Sequence, residues 1–108
     1  MADDKLNLTS KYFEANAKNT FRKLWNDLDF ADVTLATADN QQIRAHKVIL
    51  SSCSPFFRNI LLNNPHQNPL LYLKDIKHKE LEMVTQFIYL GQCQVRQGDI
   101  GAMLLEHY

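Results

Sequence analysis

F-A-D-V-T-L at residues 30–35 and I-R-A-H-K-V-I-L-S-S-C-S-P-F-F at residues 43–57 together decide the fold of this chain. Their first part carries apolar side chains at every second residue of two short segments, namely Val33, Leu35, Ile43 and Ala45. The polar connector at residues 39–41 suits a turn between these segments. Alternation of this kind on both sides of a polar turn predicts a β-hairpin.

Helical signals follow directly after the hairpin. Val48, Ile49 and Leu50 are consecutive apolar residues, which we interpret as the opening of a short buried helix. Ser54 then stands immediately before Pro55. Serine is a favourable N-cap, and proline is tolerated at the first helical position because its missing N–H is not needed there. A second helix is therefore predicted to start at Pro55.

Length and composition fit one soluble globular domain, since 108 residues suffice for a single core. Lysine plus arginine equals aspartate plus glutamate at twelve each, so no basic field supports nucleic acid binding. Cys53 and Cys93 lack metal-ligand spacing, and we interpret them as reduced thiols of an intracellular protein. No apolar run approaches the roughly 20 residues that span a bilayer, so no membrane contact is expected.

The hairpin, the short helix and the capped helix, with these residues, closely resemble the BTB (POZ) domain. L-K-D-I at residues 73–76 and Q-F-I-Y-L-G at 86–91 extend the match, which covers roughly residues 20 to 100. L-K-D-I and the proline-bounded loop before it resemble the tramtrack-like, transcription-factor class in particular. The resemblance implies an α+β fold with a small, mainly three-stranded sheet, surrounding helices and a long N-terminal helix. We expect a flexible N-terminus at residues 1–7 and the domain at residues 8–108.

A long amphipathic helix is predicted ahead of the hairpin, over residues 8–28. Its apolar face recurs at steps of three or four residues: Phe13, Ala17, Phe21, Leu24 and Leu28. Tyr12 and Trp25 add aromatic area beside this face. The helix therefore carries more large apolar side chains than one face against a small core requires, which indicates a partner. Alternatively, the helix could simply cover the core of its own chain. In BTB proteins the corresponding helix packs on the same helix of a second subunit. The resemblance therefore implies that these five residues, together with Tyr12 and Trp25, form a homodimer interface.

Further elements are predicted along the second half of the chain. Leu71 and Leu73 alternate around Tyr72 in a third strand, and an amphipathic helix over residues 81–88 stops at Gly91. Residues 92–97 could form a fourth, edge strand, and residues 99–108 begin another helix. A complete BTB domain would add roughly twenty residues, so the C-terminal helices are expected to be truncated. Apolar residues normally beneath them are then open or covered by a neighbouring chain: Val84, Ile88 and Leu104 or Leu105.

Signs of enzyme chemistry are absent from the sequence. His46 stands where the family has the same A-H-K, most often as a hydrogen-bonded structural histidine. We interpret His66 and His78 as lying in or beside loops with no acidic or cysteine partner at ligand spacing, and His107 as lying at a frayed end. The serines lack a nucleophile-elbow setting. The three single glycines cannot build a phosphate-binding loop. We therefore predict no enzyme activity, no metal and no cofactor.

Asp32 and Arg44 are the two charges to which a functional role is assigned. Both lie on the opposite parity to the apolar positions of their strands, which on its own predicts a solvated cross-strand ion pair. In BTB proteins of the transcription-factor class, an aspartate and a basic residue at these positions form a charged pocket at the dimer interface. The resemblance therefore implies that Asp32 and Arg44 are partly buried there and act as a pair.

The predicted function is a non-enzymatic, self-associating module that joins transcription or chromatin regulators into homodimers or higher oligomers. Its expected partners are a second copy, other BTB proteins or transcriptional co-regulators, and its expected location is the nucleus, with the cytoplasm as the alternative. One rival function is that of substrate adaptor for a cullin-type ubiquitin ligase; another is channel tetramerisation. Zinc fingers after residue 108 would favour transcription, and kelch-type repeats would favour the ligase.

Overall fold

Four helices and a three-stranded sheet make up the part of the chain that the computed structural model describes, which is residues 4–94. In chain order these elements are α1 (Phe13–Asp27), β1 (Val33–Thr37), β2 (Gln42–Ala45), α2 (Lys47–Cys53), α3 (Pro55–Leu62), β3 (Leu70–Leu73) and α4 (His78–Leu90). The predicted α+β class, the small sheet and the long N-terminal helix are confirmed.

The strand β1 lies at the centre of the sheet, whose order is β2-β1-β3. It pairs antiparallel with β2, so that Val33 faces Ala45, as the hairpin prediction requires. It pairs in parallel with β3, so that Leu35 faces Leu71. A parallel neighbour needs a crossover connection, and α2 and α3 supply it. The sheet therefore joins a local hairpin to a strand that is distant in sequence.

The core lies between the sheet and the helices α2, α3 and α4. Its largest fully buried side chains include Phe57, Leu35, Leu50, Ile76 and Leu81. Val84 belongs to the same core and is buried by the chain itself. The expectation that Val84 is open or covered by a neighbouring chain is therefore wrong, because the core of the single chain already buries it. Ile88 is half-buried against the core, while residues 104 and 105 lie outside the described part of the chain.

The capped helix begins where the sequence predicts it. The Ser54 hydroxyl accepts a hydrogen bond from the Phe57 N–H at 3.2 Å, and Pro55 occupies the first turn of α3. The helix α4 ends at Gly91, whose φ of 74° places it in the left-handed region that glycine tolerates best. Residues 92–94 form no strand, and the remainder of the predicted fourth strand and the helix at 99–108 fall outside residues 4–94.

The helix α1 starts five residues later than predicted, at Phe13 instead of Leu8. Its regular apolar spacing also starts at Phe13, while Thr9 and Ser10 favour local hydrogen bonds over helix. The helix ends at Asp27, and Leu28 adopts a left-handed conformation with φ of 57°. None of the fifteen residues of α1 is buried. This helix therefore contributes no fully buried side chain, although Leu24 and Trp25 pack partly buried against the core.

The hairpin turn is tied to the start of α4 by the carboxylate of Asp39. Its Oδ1 accepts hydrogen bonds from the Thr37 hydroxyl at 2.5 Å and from the His78 N–H at 3.0 Å. These donors stabilise the charged carboxylate, with the Thr37 hydroxyl the larger cause, and they lower its pKa below the ordinary 3.8. The turn and the helix are thereby held in a fixed relation.

We expect Asp39→Asn to lower the free energy of unfolding most above pH 5. Because the pKa of Asp39 is lower in the folded chain than in the unfolded one, its contribution is complete above the unfolded value and is lost as the pH falls through the folded one. Urea unfolding of both proteins between pH 7 and pH 3 measures this difference. A gap between wild type and variant that widens in acid would contradict the assignment.

Candidate self-association surface

The seven residues predicted for the interface all lie on or beside α1, but they differ in exposure. Leu24 and Trp25 are half-buried against the core, and Ala17 is half-buried as well. The four exposed members are Tyr12 and Phe13 at 69% each, Phe21 at 40% and Leu28 at 39%. One end of the helix is thus attached to the body, while the other presents bare aromatic side chains.

Trp25 attaches α1 to the body. Its ring centroid lies 5.4 Å from that of Tyr89 on α4, with the planes tilted by 51°. Such a tilted arrangement of two aromatic rings is favourable beyond the area that it buries. The orientation of α1 relative to the sheet therefore depends on this contact together with Leu24.

A mostly apolar groove of about 460 Å³ lies beside the attached end of α1. It is lined by residues of α1, of the segment before β1 and of α2: Phe21, Leu24, Phe30, Asp32, His46, Val48, Ile49, Ser52 and Cys53. Phe30 is 91% exposed and Val48 is 71% exposed. The groove and the exposed face of α1 share Phe21, so they form one continuous apolar surface, which we call the α1–α2 surface.

Phe30 and Val48 are surface residues that the sequence did not reveal. Phe30 belongs to the F-A-D-V-T-L stretch, in which the alternation begins only at Val33, and it lies outside β1. Val48 belongs to an apolar run whose next two members, Ile49 and Leu50, are buried. A run of three apolar residues does not tell which of them faces solvent. The helical period, which turns Val48 away from the core, was the available signal.

Phe30 is held in an unfavourable backbone conformation. Its φ is 64°, in the left-handed region that costs a non-glycine residue roughly 1–2 kcal/mol. Leu28, two residues earlier, has φ of 57°, and its carbonyl accepts a hydrogen bond from the Ala31 N–H at 3.1 Å. These two left-handed residues, with Asp29 between them, turn the chain sharply between α1 and β1. The turn leaves the phenyl ring of Phe30 in solvent at the mouth of the groove.

His46 lines the groove and takes part in a closed hydrogen-bond network. Its Nε2 is 2.6 Å from the Asp29 carbonyl, and its Nδ1 is 2.7 Å from the Tyr89 hydroxyl. The main-chain N–H of His46 donates to the same hydroxyl at 2.8 Å. Burial raises the pKa of Tyr89 to about 12, so its hydroxyl keeps its proton at physiological pH. The network links the segment before β1, the start of α2 and α4.

Asp32 and Arg44 do not form an ion pair with each other within the chain. In the observed register of the hairpin, Val33 pairs with Ala45 and Thr34 pairs with Arg44, so Arg44 does not lie opposite Asp32. Arg44 is exposed and donates through Nη2 to the Ala31 carbonyl at 2.8 Å. Asp32 is half-buried and accepts from the Lys47 N–H at 2.8 Å. A charged pocket completed by a second subunit stays a prediction.

We expect Asp32→Ala to cost about 1–2 kcal/mol of unfolding free energy, because the carboxylate satisfies an N–H at the start of α2 where His46 provides no side-chain cap. Asp32→Asn keeps an oxygen at the same place and should cost less than half as much. Chemical denaturation of the two variants measures both losses. Equal losses would show that the charge, and not the hydrogen bond, is what matters.

Other kinds of site find little support in the described residues. No group of three histidine, cysteine, aspartate or glutamate side chains within residues 4–94 could hold a metal ion. Over the same residues, no helix has both the length and the apolar character needed to cross a membrane. The Nε2 atom of His78 lies 3.4 Å from Oε2 of Glu82, one turn further along α4, and this pair is at the protein surface. The α1–α2 surface is therefore the feature that carries a functional argument.

Comparison with protein families and relatives identifies the class of protein. The family model described as BTB/POZ domain matches residues 21–107, which is most of the chain. Longitudinals lacking protein-like of Drosophila melanogaster is 39% identical over 92 residues, an alignment that covers 85% of this chain and 72% of that protein. The chain belongs to the BTB/POZ family, as its resemblance predicts.

Two further relatives from Drosophila melanogaster are much longer than this chain. Protein tramtrack, alpha isoform, is 33% identical over 104 residues, covering 96% of this chain and 13% of that protein. Protein bric-a-brac 1 is 36% identical over 92 residues, covering 85% of this chain and 9% of that protein. The predicted tramtrack-like relationship is confirmed.

Among solved structures, the BTB domain of zebrafish PATZ1 superposes with a TM-score of 0.69. The match covers 85% of this chain and 75% of that chain, at 22% sequence identity. At this level of identity the likeness shows the fold alone. It confirms the BTB fold that the resemblance implies.

Proposed function

We propose that this BTB domain is a non-enzymatic module that forms homodimers through the α1–α2 surface and brings transcription or chromatin regulators together in the nucleus. The observation that carries the proposal is the continuity of bare aromatic side chains on α1 with an apolar groove. Exposed apolar area of this kind on a soluble domain marks a contact with another protein. The match to tramtrack supports the regulatory setting.

A second copy of the chain fits this surface because the surface is complementary to itself. Phe13 lies eight residues before Phe21, or about 12 Å along the helix axis. In an antiparallel pair of α1 helices about a two-fold axis, the Phe13 end of each helix reaches the groove that begins at Phe21 of the other. Each copy then covers the other's bare aromatic side chains, as a two-fold interface demands.

Light scattering on the purified chain tests the proposal. At micromolar concentration we expect twice the monomer mass of 12.6 kDa, or a larger even multiple if dimers assemble further. An equimolar mixture of this chain with another BTB domain of the tramtrack type would then show whether the two also form heterodimers. A monodisperse monomer at these concentrations would contradict the proposal.

A further inference from the structure

Phe30 combines two features that are each unfavourable in a single chain. Its backbone has a φ of 64°, a conformation in which glycine is free of steric cost and a side chain is not. Its phenyl ring is also in water, since 91% of the residue is exposed. The ring therefore buries little area against its own chain that would offset the cost of the backbone conformation. Backbone strain of this kind is concentrated at functional sites.

The chain is fixed on both sides of Phe30. Three long-range hydrogen bonds hold the neighbouring residues: between His46 Nε2 and the Asp29 carbonyl at 2.6 Å, from Arg44 Nη2 to the Ala31 carbonyl at 2.8 Å, and from the Asp32 N–H to the Ala45 carbonyl at 3.0 Å. A strained conformation persists where its surroundings hold it in this way. The ring of Phe30 is thus presented on a preorganised segment, which loses less conformational freedom when it binds.

The groove beside Phe30 has the size and the lining to receive a phenyl ring. Its volume of about 460 Å³ falls within the roughly 300–1,000 Å³ of pockets that hold small ligands. Leu24, Val48 and Ile49 give it apolar walls. Every chain therefore carries a projecting ring and an apolar groove side by side. In a two-fold pair the same patch meets itself, so both copies offer a ring to the other's groove.

We propose that Phe30 is a preorganised anchor of self-association: across the two-fold axis, each copy inserts its Phe30 ring into the groove of the other copy. The inference rests on the homodimer proposed above and names the residue on which its affinity depends. Burial of the ring in the partner offsets the unfavourable backbone conformation that the single chain carries.

Removal of the ring tests its role in association. A buried aromatic anchor contributes at least about tenfold to affinity, and a two-fold dimer has two of them, so Phe30→Gly and Phe30→Ala should both raise the dissociation constant about a hundredfold. Sedimentation equilibrium of the full chain measures this change. Leu62→Ala is the matched control, because Leu62 is also exposed and apolar but does not line the groove. Its dissociation constant should stay within about twofold of the wild type.

The same two variants test the backbone strain within a single chain. Both lack the ring, but alanine keeps a side chain in the left-handed conformation and glycine does not. At a concentration where both are monomeric, Phe30→Gly should therefore melt roughly 4 °C or more above Phe30→Ala. Thermal unfolding followed by circular dichroism measures the difference. Equal melting temperatures would overturn the claim that the chain holds Phe30 under strain.

A second variant closes the groove and leaves the ring in place. Ser52 is an exposed residue of α2 that lines the groove, so Ser52→Trp fills the groove and should weaken the homodimer as much as Phe30→Gly does. A mixture of the two variants restores one of the two exchanges, because the ring of Ser52→Trp meets the open groove of Phe30→Gly. The mixed dimer should therefore bind about tenfold more tightly than either variant binds itself. Sedimentation velocity with fluorescently labelled Phe30→Gly measures the mixed species.

The outcomes separate this proposal from the homodimer itself. A wild-type chain that stays monomeric would overturn both. A wild-type dimer that Phe30→Gly leaves nearly unchanged would overturn the anchor alone. A mixed dimer no tighter than the variant homodimers would show that the ring does not enter the groove of a second copy, and would overturn the exchange.

Discussion

Phe21→Asp should convert the proposed dimer into a folded monomer, with a dissociation constant raised at least a hundredfold. Phe21 links the exposed face of α1 to the groove, and its 40% exposure shows that the core of the single chain does not depend on it. A charge at the centre of an apolar interface removes a hot spot that is worth roughly 2–4 kcal/mol and adds a desolvation cost. Sedimentation equilibrium and circular dichroism measure association and folding separately.

Leu62→Asp provides the matched control for this substitution. Leu62 is an exposed apolar residue at the end of α3, and it does not line the groove. The same charge there should leave the dimer intact. If both variants dissociate equally, the effect comes from the added charge on the whole molecule. If Phe21→Asp remains dimeric, the interface lies elsewhere.

Trp25→Ala should destabilise the chain by about 2–3 kcal/mol and abolish dimerisation together. The indole is half-buried, packs on the core and contacts the Tyr89 ring, so truncation removes both buried apolar area and an aromatic pair. Trp25 does not line the groove, so the loss of the dimer would follow from the loss of α1 docking. Thermal unfolding and light scattering on the same sample measure the two effects.

Trp25→Phe separates docking from a direct role of the indole. A phenyl ring can still contact Tyr89, so most of the stability and all of the self-association should return. A variant that is stable but monomeric would show that the indole itself contacts the partner. Wild-type behaviour of Trp25→Ala would show that Leu24 alone attaches α1.

Local signals account for the elements that were predicted correctly. The cap at Ser54, the proline after it and the stop at Gly91 are decided by neighbouring residues, and the structure has them in place. The predicted start of α1 at Leu8 lies five residues before the observed start at Phe13, where the regular apolar spacing also begins. Thr9 and Ser10, which favour local hydrogen bonds over helix, lie between these two positions.

The α1–α2 surface was only half predictable for a different reason. The spacing of apolar residues predicts the apolar face of α1, because that face depends on the sequence of one helix alone. Phe30 and Val48 complete the surface, and their exposure depends on a turn with two left-handed residues and on how α2 meets the sheet. Whether Asp32 pairs with Arg44 likewise depends on the register of the hairpin. The alternation of side chains along a strand assigns each residue to a face of the sheet, but it does not say which residue of the neighbouring strand lies opposite.

The position of β1 between β2 and β3 also has a consequence for how the chain folds. Its antiparallel neighbour follows after a short turn, whereas its parallel neighbour pairs Thr34 with Leu70, thirty-six residues further along. Closing the longer loop costs more chain entropy, and α2 and α3 must form within it. We therefore expect the hairpin to form early and β3 to dock late. Until β3 docks, one edge of the central strand is bare, and this interval is when a newly made chain is most open to pairing with the wrong strand.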